Sequence, residues 1–425
     1  MLYMKKWMSA ILVAVLTVSL LGGCAGAEGL SGELVISVTP SWIDETAVEG
    51  PAFLAAIERY EEMNPGVTIT AQGASQQDIK EAFQTAALAG GGPDVVIMDN
   101  CGHAIDLAAM GLLLPLNNFI SDEELEATYQ PGPLNSGKFE GVYYSLPWYM
   151  DCCGLFANTD YLEACGLEIP ETWDDLENCL KVLKENGYGG IITYKSAYAF
   201  YSFFYQNGCP VIDTTGETPV VVIDNEAGTE AWNYICKLIL EYDGLVESFK
   251  EATSWDKVYE SLANGEATFL LGGDWCKTGI NNLETGVNYT ITDMVSGKQQ
   301  ATILGGWTWN INANTKNPEL AYDFCRYMCS PDTYDVLKGA GGKQSARVDW
   351  DTATAFSESD MDLKVLADQF PYTMPRPGVI NEKTIDEIIT NAILTVVYGQ
   401  STPEQALADL AQELRDNIAS NYGDI

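Results

Sequence analysis

The residues Gly141 to Asn158, reading GVYYSLPWYMDCCGLFAN, set one carboxylate, Asp151, among side chains that otherwise favour burial. Tyr143, Tyr144, Trp148 and Tyr149 gather around Pro147, and an apolar run from Cys152 to Ala157 follows. Aromatic faces beside a lone acid suit a polar, ring-shaped ligand: the rings cover its apolar patches and the carboxylate fixes its hydroxyls. The same composition also describes an aromatic-rich strand pair in a core, with Asp151 capping a turn. Other chemistries find less support. Nucleophile–base motifs are absent, and no two acids stand at a spacing that points to a glycoside hydrolase. Gly90-Gly91-Gly92-Pro93 is followed by no lysine, so it reads as a tight helix end rather than a phosphate loop. Neither Cys152-Cys153 nor the i,i+4 pair Cys325 and Cys329 is completed by histidines into a metal site, and no cofactor is expected.

Such a site needs a frame. At 425 residues the chain exceeds the size at which one hydrophobic core keeps growing, so two lobes are expected. Hydrophobic content of 47% fits a folded globular protein rather than a disordered one. The formal charge is −38, and the single histidine, His103, cannot alter that. A chain this acidic repels phosphate backbones, so nucleic acid is not an expected partner; the charge mildly favours cationic ligands.

The first residues read as a leader rather than as fold. Lys5 and Lys6 form a positive start, and Trp7 to Leu21 is apolar but short for a bilayer span. Small residues then lead to Cys24, and a flexible run follows it. Residues 1–23 are expected to be a signal peptide and 24–32 a linker. Their removal takes two lysines and no acid, which moves the charge from −38 to −40. Ten cysteines remain beyond Cys24, with no repeated spacing. A chain this large does not need disulfides, and buried free thiols, as in an anaerobe, are the preferred account.

Glu33 to Val38 alternates as a strand, broken at Thr39-Pro40-Ser41-Trp42, the end at which open α/β sheets bind ligands. Pro51 to Met63 reads as a helix with Phe53, Leu54, Ile57 and Tyr60 on one face, stopped by Asn64-Pro65-Gly66. Val67 to Ala71 is a strand, Gln76 to Leu88 a helix, and Asp94 to Met98 a third strand. This alternation predicts a parallel sheet with right-handed crossovers. Further on, Trp255, Val258, Tyr259 and Leu262 mark an amphipathic helix ahead of a strand at Ala267 to Leu271. At the end, Leu407, Leu410, Ala411, Leu414 and Ile418 form one stripe, read as core.

NPGVTIT, GGGPDVVIMD, GLLLPLNNFI and LFANTDYLEACGLEIPETWDDL follow in an order and spacing that resembles bacterial extracellular solute-binding proteins of the sugar-binding, maltose-binding-protein-like type. LANGEATFLLGGDW and GGWTWNINANTKNPELAYDFCRYMCSPD extend the likeness over nearly the whole mature chain. The Cys24 context likewise resembles the lipobox of bacterial lipoproteins. The resemblance implies an α/β fold of two lobes, each a mixed or mostly parallel sheet flanked by helices, with a ligand cleft between them. It places lobe one at 33–147 and 305–342, and lobe two at 148–304 and 343–425. The crossings then fall at the aromatic stretch around Asp151 and near Thr302 to Gly306, where paired glycines permit close approach. It also implies a monomer without catalysis, lipid-anchored on the outer face of the cell membrane and serving the permease of an ABC importer.

On the same basis Trp42, Asp99, Asn100 and His103 fall where the family contacts its ligand; Asn100 and His103 depart from the charged pattern of maltose-binding protein, which speaks against maltose. Asp151 matches a ligand-binding carboxylate, with Trp148 beside it. Tyr198 matches an aromatic flanking the sugar, and Trp275 a tryptophan stacked beneath a sugar ring. Trp307 is placed by the second crossing and Arg347 by the GGKQSAR segment. Trp173, at the helix start PETWDDL, is expected to pack as scaffold. Two alternatives stay open: a binder of cationic small molecules such as polyamines, and a glycoside-processing enzyme.

Overall fold

A computed structural model describes residues 30–99, 102–216, 218–242, 252 and 254–423. Asn100, Cys24 and the leader lie outside the described residues. Strand β1 (Ser31–Val38) is followed by helix α1 (Gly50–Met63), β2 (Gly66–Gly73), α2 (Ile79–Leu88), β3 (Val95–Asp99) and α3 (His103–Ala109). β1 runs parallel to β2, with Ser31 opposite Gly66, and parallel to β3, with Ile36 opposite Val95. The alternation read from the sequence therefore gives the predicted parallel sheet. α1 begins with Pro51 in its first turn, where the missing N–H costs nothing, and buries Phe53, Ala56, Ile57 and Tyr60 at helical spacing.

The sheet does not end at β3. A strand at Thr302–Ile311 returns antiparallel beside it, with Trp307 opposite Asp99, and a strand at Ser145–Cys152 pairs antiparallel on the far side. Gln344–Ser345 closes that edge. A second, four-stranded sheet is ordered Tyr289–Thr292, Gly154–Asn158, Phe269–Gly272, Ile191–Ile192, antiparallel except for its last pair.

The first sheet packs around one core, and the second divides its apolar residues between a large core and a smaller cluster that holds Phe156, Leu270 and Ile291. Leu34, Phe53, Trp148, Trp309 and Phe324 belong to the first core; Leu155, Phe200, Trp232, Leu407 and Leu414 to the large second one. Two strands pass between them. On Ser145–Cys152, residues up to Met150 pack in the first core, whereas Cys153 just beyond packs in the second. On Thr302–Ile311, Ile303 lies in the second core and Leu304 in the first. The two strands pair with each other, Gly305 opposite Asp151, at the point where they change core. The C-terminal helix Pro403–Tyr422 buries Leu407, Leu410, Ala411, Leu414 and Ile418 in the second core, as its stripe predicts.

Candidate functional site

A cleft of about 460 Å³ opens along that crossing. From the first core come Trp42, after β1; Asp99, at the end of β3; His103, at the start of α3; and Tyr149 and Trp307 from the crossing strands. Tyr198 comes from the margin of the second core, and Tyr194, Trp255, Tyr259 and Trp275 pack against a third apolar cluster, built on Phe156, Val258, Leu262 and Leu270. A groove of about 700 Å³ adjoins the cleft and shares Glu49, Tyr259, Trp275 and Lys343 with it. A larger one, about 850 Å³, opens elsewhere, at Glu140, Asp213, Pro375 and Tyr422. The cleft is the better site because, among these three, it alone is lined by the crossing strands, at Tyr149, Asp151, Gly305, Gly306 and Trp307, beside a wall of aromatic rings.

The aromatics form a connected wall. Tyr194 stacks on Trp255, with ring centroids 5.4 Å apart, and Trp255 stacks on Tyr259 at 6.0 Å. Trp255 meets Trp275 edge-on at 5.2 Å, and Trp275 lies 6.3 Å from Tyr198. Trp275 Nε1 is buried and has no hydrogen-bond partner among the described residues. That helical pair, Trp255 and Tyr259, looks like core in the sequence because Val258 and Leu262 share its period. The structure buries Val258 and Leu262 completely and turns the two rings to the cleft.

Asp151 sits at the bottom, 9% exposed. Tyr198 Oη donates to its Oδ1 at 3.2 Å. This contact needs the glycine opposite: a Cβ on Gly305 would stand 2.1 Å from Asp151 Oδ1 and 2.3 Å from Tyr198 Oη. Burial, then the charge of Asp274, pushes the Asp151 carboxyl up to about 7. Lys343, buried as well, bridges to Asp274 Oδ2 at 3.2 Å and lies over the Tyr149 ring. Burial opposes its ammonium, yet Asp274 and Asp151 outweigh that and raise its pKa.

Arg376, whose guanidinium lies 5.2 Å from the centre of the Tyr198 ring, donates from Nη2 to Asp99 Oδ1 at 3.1 Å, and Gln76 Nε2 donates to Asp99 Oδ2 at 3.4 Å. Glu382 and Asp386, one helical turn apart on Glu382–Val397, also line the cleft. His103 faces them as a neutral imidazole, since burial, then Lys80 and Arg376, depresses its pKa well below the usual value. It is thus both a helix-start residue and a cleft residue. Among the described residues no group of three or more His, Cys, Asp or Glu side chains is arranged to hold a metal ion.

The structure brings Trp42, Asp99, His103, Asp151, Tyr198, Trp275 and Trp307 together, though Trp42 is only 2% exposed. Two other residues do not reach the cleft. Trp148 is 1% exposed and packs on Trp42 and Trp309, because side chains alternate along the strand and Tyr149 and Asp151 hold the cleft face. Arg347 instead makes a two-bonded pair with Asp349, both contacts at 2.8 Å. Lys343, four residues earlier in the same segment, is the one that lines the cleft. Trp173 packs as scaffold: it stacks on Tyr234 at 4.2 Å and donates to Gln206 Oε1, behind a Thr172–Asp175 capping box.

The sequence profile of the family described as "Bacterial extracellular solute-binding protein" matches residues 44–335. The galactooligosaccharide-binding protein of Bacillus subtilis (strain 168) is 24% identical, over 79% of each chain. The maltodextrin-binding protein MdxE of the same organism is 21% identical, over 99% of this chain and 100% of its own length. Among solved structures, the GacH receptor of Streptomyces glaucescens GLA.O, studied unliganded and with acarbose, superposes with a TM-score of 0.77 at 22% identity, covering 92% of this chain and all of that one.

Proposed function

The chain belongs to the family of bacterial extracellular solute-binding proteins, and from that premise we propose that it captures a sugar or oligosaccharide in the cleft and delivers it to the permease of an ABC importer. One observation carries the saccharide reading: the wall of Tyr194, Trp255, Tyr259, Trp275 and Tyr198 faces carboxylates across a single cleft. Stacked rings cover the C–H faces of pyranoses while Asp99, Asp151 and His103 exchange hydrogen bonds with hydroxyls. The relatives named above bind galactooligosaccharides and maltodextrins, which supports the same ligand class. The lobes of this reading are 33–147 with 305–342, and 148–304 with 343–425, moving as a monomer about the paired crossing strands.

Titration calorimetry with neutral gluco- and galacto-oligosaccharides, beside spermidine, tests the reading. Saccharide binding is expected; spermidine binding without it would overturn the proposal. A binding protein leaves oligosaccharides intact, so new products after long incubation would show an enzyme instead. The anchor belongs to the same reading: lipid on Cys24 holds the protein at the outer face of the membrane. The native protein should partition into detergent and a Cys24→Ala variant should not; equal release of both would remove the anchor and leave the binding claim standing.

A further inference from the structure

The part of the cleft around Arg376 holds more acid than its cations offset. Asp99, Glu382 and Asp386 all line it. Arg376 donates to Asp99 at 3.1 Å and comes within 3.7 Å of Glu382. Of the neighbouring cations, Lys383 also lines the cleft and pairs with Glu81 at 2.6 Å, and Lys80 pairs with the buried Asp106. The Arg376 guanidinium thus faces three carboxylates, Asp99, Glu382 and Asp386. Glu382 is 1% exposed, and its Oε1 accepts no hydrogen bond; Asp386 Oδ1 is buried and equally unbonded.

Such a cluster is relieved in one of two ways, by a proton or by a cation. Empty, the protein takes the first at Glu382, which burial raises to about 8 against the opposing pull of Arg376; burial raises Asp386 only to about 6, so near pH 7 that carboxyl is mostly ionised. A neutral saccharide would leave the Glu382 proton in place and the Asp386 charge uncompensated, since a hydroxyl brings one donor and no charge. Asp386 takes a backbone hydrogen bond from Ala197 and Glu382 faces Arg376 at 3.7 Å, yet an ammonium brings three donors and the missing charge to the two buried oxygens that accept no hydrogen bond. The position of Glu382 in the first turn of its helix accounts for one acid there. It does not account for Asp386, a turn further in. We infer that this part of the cleft receives a protonated amine carried on the saccharide, so the ligand is an amino sugar or an oligosaccharide that contains one. The inference rests on the carbohydrate reading above and narrows it.

Calorimetry with glucosamine and galactosamine oligosaccharides, each beside its N-acetylated form and its neutral hexose counterpart, decides the matter. The free amine should bind at least about tenfold more tightly than the N-acetylated form. At pH 7 its binding should release protons, read as a dependence of the heat on the ionisation enthalpy of the buffer. The double variant Glu382→Gln with Asp386→Asn should bind amine and acetamide alike and release none. Neutral or N-acetylated saccharides binding as tightly as the amine would overturn the inference and leave the carbohydrate reading intact. Absence of binding by every saccharide would overturn both.

Discussion

Asp151 carries a cost in the empty protein that a ligand can redeem. Its folded pKa, about 7, lies above the unfolded value of 3.8, so the native state holds the proton more tightly. Its contribution to stability is thus most favourable below about pH 4, falls as pH rises toward 7, and is level beyond. Asp151→Asn should therefore melt higher than the parent by an amount that grows across this window, up to ~3 kcal/mol, while binding saccharide more weakly. Melts of both proteins from pH 4 to 8 check it; a difference independent of pH would contradict the assignment. Trp275 and Trp173 separate site from scaffold within one residue type. Trp275→Ala should cost about 2 kcal/mol of binding, some thirtyfold, with little change in melting. Trp173→Ala, which empties a stacked and hydrogen-bonded position, should lose about 3 kcal/mol of stability and keep near-normal affinity in the folded fraction. An early-melting Trp275→Ala that binds normally would make Trp275 core.

At the scale of elements, the paired crossing strands set the site. Gly305 lets Asp151 and Tyr198 meet over bare backbone, and Gly306, at φ +125°, would put a Cβ 2.1 Å from the Tyr149 carbonyl oxygen. Gly305→Ala should cost about 1–3 kcal/mol of stability and weaken binding by at least about tenfold, because the carboxylate must move; unchanged affinity by calorimetry would show that Asp151 is not a contact. The sequence shows part of this arrangement plainly. β1, β2 and β3 alternate with helices of clear period, and Trp275 and Trp307 each follow a glycine pair that admits a close neighbour. Trp148 went astray because the aromatic stretch alone does not say which alternate residues face the cleft. Trp255 and Tyr259 were hidden by a helical period that cannot tell a cleft face from a core face when the two adjoin. Lys343, Arg376, Glu382 and Asp386 come from segments far along the chain with no local pattern of their own, so only the fold assembles them.

For the whole molecule, two cores joined by a strand pair predict closure on a ligand that touches both. Solution scattering should show a smaller radius of gyration at saturation; an unchanged profile at proven saturation would count against closure. The cysteines bear on a different property. Nine described cysteines are free, and all but the half-buried Cys165 are buried. Burial, the largest cause, lifts Cys152, Cys153 and Cys276 well above the usual thiol range, so these three present almost no thiolate in the native protein. Unfolding changes that at once. The nine described thiols become accessible together, in one chain, with many wrong partners and no native disulfide among them to return to. Heating in air should therefore be a one-way event, with cross-linked aggregate in place of refolded protein. The same scan under reductant should repeat on cooling, so the reversibility of the melt would measure how well the fold shields its own sulfur.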